Sequence, residues 1–116
     1  MASSRDSKKN LHYGVQLYLN ASGKRVFDNK GAAILETIDK QGSITAAAIN
    51  LKMSYRFVWG YISLMQKALK AKIIVTHRGG THGENGGGGT TLTPLARRLL
   101  REFRSKEILL ERDINK

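Results

Sequence analysis

The sequence predicts an α+β fold that is mainly α-helical. Hydrophobic residues make up 41% of its 116 residues, which is typical of a globular chain with one modest core. Apolar residues recur at helical spacing in four stretches. Alternating or β-branched runs precede the first stretch and the last, and they predict short strands.

An arm and a hairpin are predicted at the N-terminus. Residues 1–10 are polar and basic, so we expect a flexible arm ahead of a single domain over 11–116. Apolar residues alternate over 11–19, which indicates a half-buried strand. A turn over 20–23 and a short strand over 24–27 would complete the hairpin.

Three helices follow, and a short turn joins the second to the third. The first covers 29–40 and stops at Gly42. Segments 43–51 and 54–69 each begin with a serine that can cap a helix, and each carries an apolar stripe. Together they give 43–69 the outline of a helix-turn-helix.

A glycine-rich β-hairpin and a long helix complete the chain. Segment 73–92 contains two short β-branched runs around a glycine-rich tip, which is typical of a wing beside a helix-turn-helix. A hairpin tip without any ligand is the alternative. Pro94 opens a helix over 94–112 whose apolar seam is longer than one small core needs.

The outer face of the 54–69 helix is the candidate reading surface, since it lies opposite the apolar stripe. Arg56 suits bidentate hydrogen bonding to guanine, and Ser54 with exposed backbone amides suits phosphate. The candidate DNA-binding residues are Ser43, Thr45, Ser54, Tyr55, Arg56, Gly60, Ser63, Lys67, Arg78, Gly79, Gly80, His82 and Asn85.

Several side chains leave alternatives open. Tyr55 could contact DNA or pack internally. Trp59 is expected to be buried against the first helix. Arg97, Arg101 and Arg104 share one side of the last helix, where they could contact phosphate or form a solvated face.

The charge balance favours a polyanionic partner, because 20 Lys and Arg against 9 Asp and Glu give a net charge of +11. There is no cysteine, and the three histidines are not grouped with carboxylates, so neither a metal site, a cofactor nor an enzyme active site is predicted. No apolar run suits a membrane span or a signal peptide, so we expect a cytoplasmic, nucleoid-associated protein and no membrane partner.

Two stretches, GSITAAAINLKMSYRFVWGYISLM and GGTHGENGGGGTTLTPLARRLL, resemble the N-terminal winged helix-turn-helix domain of ModE-type molybdate-responsive regulators of prokaryotes, which is related to that of LysR-type regulators. The resemblance runs from about Leu11 to Leu110. It implies a homodimer joined through the first and last helices and the N-terminal strands. By position, Ser54, Tyr55 and Arg56 would begin the recognition helix, and Arg78 with the 79–89 loop would form the wing.

These observations together predict a sequence-specific regulator of transcription that binds an inverted repeat in double-stranded DNA. ModE proteins continue into oxyanion-binding domains and this sequence stops at Lys116, so molybdate binding by this chain is not expected. An architectural nucleoid protein with little sequence preference is one alternative, and a winged-helix protein-interaction module is another.

Overall fold

The computed structural model describes residues 10–77 and 89–116. These residues form four helices and two small antiparallel sheets, so the predicted mixed and mainly helical composition is confirmed. In chain order the elements are β1 (Tyr18–Ala21), β2 (Lys24–Asp28), α1 (Asn29–Gln41), α2 (Ile44–Leu51), α3 (Tyr55–Leu69), β3 (Ile74–Thr76), β4 (Thr90–Leu92) and α4 (Pro94–Ile114).

Side-chain caps determine where the helices begin. In each described helix an oxygen of the N-cap side chain accepts a first-turn backbone N–H, and these caps are Asp28, Ser43, Ser54 and Thr93. Such caps pair amides that the helix itself leaves without a partner. Gly42 ends α1 in the left-handed conformation, with φ of 74°. These starts and this stop coincide with the predicted ones, although the capping role of Asp28 was not predicted.

The N-terminal hairpin is shorter than predicted. Strand β1 covers only Tyr18–Ala21, so the prediction of a strand over 11–19 is wrong for residues 11–17. Strand β2 has five residues and its last, Asp28, lies opposite Tyr18, so the described residues 10–17 have no partner on β2. The turn is also tighter than predicted, since only Ser22 and Gly23 form it, both with positive φ as a two-residue type I′ turn requires.

The hydrophobic core lies between the helices and the two hairpins. Its fully buried members include Phe27 on β2, Ile34 and Ile38 on α1, and Ile62 on α3. Phe103 of α4 meets the ring of Phe27 edge to face, with the ring centres 5.0 Å apart. Each described helix thus contributes one apolar face to a single core, while Leu51 of α2 and Leu69 of α3 pack at its edge.

The second hairpin is attached to the helices at its root. Strands β3 and β4 pair antiparallel, with Ile74 opposite Leu92. The amide of Thr90 donates to the carbonyl oxygen of Gly42 at 2.8 Å, which fixes β4 to the end of α1. Residues 78–88, which are predicted to contain the tip of the wing, and residues 1–9, which are predicted to form an arm, lie outside the described residues.

Arginines of α4 bind carboxylates of α1. The Arg104 guanidinium donates to both carboxylate oxygens of Glu36, at 2.8 Å each, and Arg97 donates to Asp39 at 2.7 Å. The hydrogen bond from Arg104 lowers the pKa of Glu36 below its ordinary value, despite partial burial. Two of the three arginines that could have faced phosphate or solvent therefore join α4 to α1, and Arg101 is exposed.

Asp28 and Tyr61 join the hairpin, α1 and α3. The Tyr61 hydroxyl donates to the Asp28 carboxylate at 2.6 Å, and the amides of Lys30 and Gly31 donate to the same oxygen. Partial burial raises the pKa of Asp28, but these hydrogen bonds and nearby Arg25 outweigh it and leave that pKa below its ordinary value. Burial and the Asp28 charge raise the pKa of Tyr61, so its hydroxyl stays a donor.

Gly31 is the one position in this junction where no side chain fits. A Cβ there would lie 2.6 Å from the Tyr61 Oη and 2.8 Å from a ring carbon of Phe27. The Tyr61 hydroxyl is held by Asp28 and Phe27 is fully buried, so neither can move aside without loss. The site is closed to anything larger than glycine.

We expect Gly31→Ala to lower the free energy of unfolding by about 1–3 kcal/mol, since overpacking outweighs the helix-propensity gain of up to about 1 kcal/mol. Urea unfolding would measure it. Gly60→Ala is the matched control, because Gly60 is also helical but a Cβ there meets no atom within 4 Å. The control should be at least as stable as the parent. Equal stability of the two variants would contradict the packing argument.

Candidate nucleic-acid interface

A three-residue turn joins α2 to α3. Lys52 ends α2 in the left-handed conformation, with φ of 58°, and the amide of Met53 donates to the carbonyl oxygen of Ala48 at 2.9 Å. Ser54 then caps α3 by accepting from the amide of Phe57 at 3.0 Å. Because both helix ends are hydrogen-bonded, the turn fixes the direction in which α3 leaves α2.

The outer face of α3 is polar and accessible. Val58, Ile62 and Met65 are buried on the core side. Arg56 and Lys67 lie on the opposite side and are exposed, and Gly60 and Ser63 between them are partly exposed. At about 100° per residue these four positions form one stripe along the helix. These four sequence-predicted residues of α3 therefore share one surface.

The cations of this stripe have no acidic partner among residues 10–77 and 89–116. Within those ranges no carboxylate lies within 4 Å of the charged nitrogens of Arg56 or Lys67, whereas Arg97 and Arg104 are paired. A paired arginine already uses some of its donors on its carboxylate. The stripe thus keeps donors and positive charge that could meet an anion in solvent.

The remaining described candidates lie at the starts of α2 and α3. The Ser43 and Ser54 side-chain oxygens accept amides of their own helices, and each hydroxyl hydrogen can still be donated to another acceptor. Thr45 is exposed on α2, and the Tyr55 side chain is exposed at the first position of α3, so it is not packed internally. Arg78, Gly79, Gly80, His82 and Asn85 lie outside the described residues.

Trp59 is not buried against α1, and that prediction is wrong. Its side chain is 42% exposed. It follows Val58 by one residue, which places it about 100° away from the centre of the core face. The apolar surface that α3 can bury is filled by Val58, Ile62 and Met65, so the indole remains at the border between core and solvent.

Gln66 sets the position of the second hairpin relative to α3. Its side-chain oxygen accepts from the amides of Ile73 and Ile74, at 2.9 and 3.3 Å. Both amides lie at the root of β3, so the hairpin leaves the helix at a fixed angle. Sequence reasoning missed this residue, because a side-chain bond to backbone seven residues away has no local signal.

Part of the chain is similar to ModE and MopB proteins. It is 38% identical over 76 residues to the transcriptional regulator ModE of Haemophilus influenzae, a match that covers 66% of this chain and 28% of the relative. It is 36% identical over 75 residues to the molybdenum transport protein ModE of Azotobacter vinelandii, a match that covers 65% of this chain and 26% of that relative. It is 34% identical over 71 residues to the molybdenum-pterin-binding protein MopB of Rhodobacter capsulatus, and this match covers 61% of the chain and 25% of that relative.

The chain spans about a quarter of the length of these curated relatives. No family model matches the sequence. The similarity is therefore to a part of longer regulators and molybdenum-related proteins, and what the whole relatives do does not carry over directly.

The described residues hold neither a metal-binding cluster nor a membrane-spanning helix. Residues 10–77 and 89–116 contain no group of three or more His, Asp or Glu side chains that could hold a metal ion. Among the described helices none is both long and apolar enough to cross a membrane.

Proposed function

We propose that the chain is a double-stranded DNA-binding regulator of transcription with a winged helix-turn-helix fold. In this proposal α3 enters the major groove, and segment 73–92 serves as the wing on the adjacent backbone or minor groove. The observation that carries it is the polar stripe of α3, whose cations are exposed opposite a buried core face. The net charge of +11 supports a polyanionic partner.

Each proposed contact follows from side-chain chemistry. Arg56 lies one turn or less from the start of α3, where a planar guanidinium can donate two hydrogen bonds to a guanine edge. Ser54 and the first amides of α3 would donate to a phosphate, which the helix N-terminus favours. Lys67 would neutralise a phosphate further along the major groove. Ser63 lies between Arg56 and Lys67 on the helix and would face the bases.

A second copy is proposed to complete the protein as a twofold homodimer. The seam of α4 continues beyond the core through Leu110 and Ile114, which are 40% and 44% exposed. Tyr13 is held at the C-terminal end of the same helix, since its amide donates to the Asn115 side chain at 2.7 Å, and it is 73% exposed. We call Tyr13, Leu110 and Ile114 the terminal patch. A second copy related by a twofold axis would bury this patch. The resulting dimer would present two α3 helices to an inverted repeat.

Similarity to a protein named as a transcriptional regulator supports the regulatory role. Two other relatives carry names that refer to molybdenum transport or molybdenum-pterin binding. Because the chain spans about a quarter of their length, we confine its proposed role to DNA binding. A location at the nucleoid would follow from that role.

Salt dependence tests whether duplex binding is made by the α3 stripe. The logarithm of the association constant should fall linearly with the logarithm of salt concentration, by about 0.9 per phosphate neutralised. Lys67→Gln should reduce that slope by about 1 unit. Lys106→Gln removes the same charge from α4 and should leave the slope nearly unchanged. Equal slopes for the two variants would reject Lys67 as a phosphate contact.

Specificity separates a regulator from an architectural DNA-binding protein. Selection of bound fragments from a random duplex pool should enrich one inverted repeat, with half-sites about one helical turn apart or a multiple of it. The enriched site should then bind about 10³-fold or more tightly than competitor DNA. A pool that remains random after selection would reject sequence-specific regulation while leaving general DNA binding intact.

A further inference from the structure

A second surface of α3 forms a groove with the N-terminal hairpin. The groove has a volume of about 640 Å³, and its floor is mostly apolar. Leu64 stands in it with 69% of its side chain exposed, beside partly buried Val26 and Ala68. Exposed leucine is costly in water when its neighbours are also apolar, so a continuous apolar floor indicates a surface that a partner covers.

Lysines surround this apolar floor. Three exposed lysines line the groove, namely Lys24 at the start of β2, Lys67 of α3 and Lys70 at the C-cap of α3. Within residues 10–77 and 89–116 no carboxylate lies within 4 Å of their charged nitrogens. The sequence alone did not group these three lysines, because Lys24 is distant from Lys67 and Lys70 in sequence and lines the same groove only in the folded chain.

The other charged groups of the groove are already engaged. Arg25 stacks over the ring of Tyr18 at 4.3 Å and lies 3.7 Å from the Asp28 carboxylate. Asp28 in turn accepts from Tyr61 and from two amides of α1. The single carboxylate among the lining residues is thus neutralised locally, and the lysines leave the groove positive.

The shape and chemistry indicate which kind of ligand fits. A small-molecule site is expected to hold a few converging polar groups inside its cavity. Here the polar groups Asp28 and Tyr61 are hydrogen-bonded to each other, and the lysines stand around a floor that is mostly apolar. Long lysines around an open apolar floor match a segment that brings apolar anchors at helical spacing and acidic residues beside them.

The segments of this chain that lie outside the described residues do not have that chemistry. Residues 1–9 carry three cations and one aspartate, and residues 78–88 contain no large apolar side chain. The last turns of α4 are apolar in part, but three acidic and three basic residues over 106–116 balance each other. Charge complementarity therefore favours a different protein over a second copy.

We propose that this groove docks an acidic amphipathic helix of a partner protein. The helix would place apolar side chains on Leu64, Val26 and Ala68 and carboxylates against Lys24 and Lys70, which the proposed duplex contacts do not use. Arg56 and Ser63 would stay accessible, so α3 could hold a duplex and the partner at once. Docking does not depend on the duplex contact proposed above, and the two can fail separately.

Titration of a fluorescent probe peptide into the full chain tests this docking. The probe is a short helical peptide with Leu at every third or fourth position and Glu elsewhere, and anisotropy reports binding. Leu64→Gln should weaken binding about 10–100-fold, since one leucine contact is lost. The double change Lys24→Gln and Lys70→Gln should weaken it and flatten its salt dependence. Ile49→Gln is the control, because Ile49 is 72% exposed on α2, outside the groove.

Duplex affinity is measured on the same variants, and Leu64→Gln should leave it unchanged. Far-ultraviolet circular dichroism and urea unfolding verify that each variant is folded. The proposal is overturned if the Leu-Glu peptide shows no saturable binding, if an all-Glu peptide binds equally well, or if Leu64→Gln and Ile49→Gln behave alike. Loss of duplex affinity in Leu64→Gln would also overturn it and assign the groove to DNA.

Discussion

Leu110→Glu is expected to weaken binding to an inverted-repeat duplex by about 10²–10⁴-fold. A dimer binds its second half-site at the high effective concentration set by the first, and a monomer loses that advantage. Leu110 is 40% exposed in the terminal patch, so glutamate is tolerated in the single chain. In a dimer interface the same carboxylate would be buried without a partner, which costs several kcal/mol.

Sedimentation equilibrium and gel shift on the same samples measure the two effects together. The parent chain should sediment as a dimer and Leu110→Glu as a monomer. Ile108→Glu provides the matched control, because Ile108 is 63% exposed on the same helix but lies about 160° around it from Leu110. A dimeric Leu110→Glu, or a monomeric parent chain that still binds the repeat tightly, would contradict the proposed interface.

Arg56→Ala is expected to cost about 1–3 kcal/mol in binding to the selected duplex and to relax the base preference at one position in each half-site. Arg56 is exposed on α3 and has no carboxylate within 4 Å among the described residues. Its removal should therefore leave the fold unchanged and affect only what the guanidinium meets outside the chain. Gel shifts with specific and random duplexes measure both consequences.

Arg101→Ala is the matched control for Arg56→Ala, since Arg101 is an exposed arginine of α4. Both variants lose one positive charge, so both should weaken binding to random duplex slightly. Only Arg56→Ala should lower the ratio of specific to random affinity. If Arg56→Ala keeps that ratio, the outer stripe of α3 does not read bases, and a general phosphate-binding role replaces sequence recognition.

Much of the secondary structure was predictable because it depends on neighbours in sequence. Ser43, Ser54 and Thr93 each accept an amide three residues ahead, and Gly42 adopts a left-handed conformation that favours glycine. The stripe of Val58, Ile62 and Met65 follows from helical spacing alone. The same spacing also identifies the polar face on the opposite side of that helix.

The errors share one cause, which is dependence on a partner distant in sequence. Alternation over 11–17 resembles a strand, but a strand needs a pairing partner, and β2 reaches back only to Tyr18. Trp59 has an apolar ring, but whether it is buried depends on the room left by neighbours in space. Arg104 could not be assigned to Glu36 because 68 residues separate them.

The amino-acid sequence alone is enough to give where the helices begin, the core stripes and the polar face of α3, since these follow from spacing and from caps within three residues. The end of the last helix was predicted two residues short, at 112 instead of Ile114. The tertiary fold is needed to show that Asp28 meets Tyr61, that Arg97 and Arg104 bind α1, and that Lys24 joins Lys67 and Lys70 around one groove. Hydrogen bonds and ion pairs need atoms within about 3–4 Å of each other. Local spacing sets that distance along one helix, whereas packing sets it between elements.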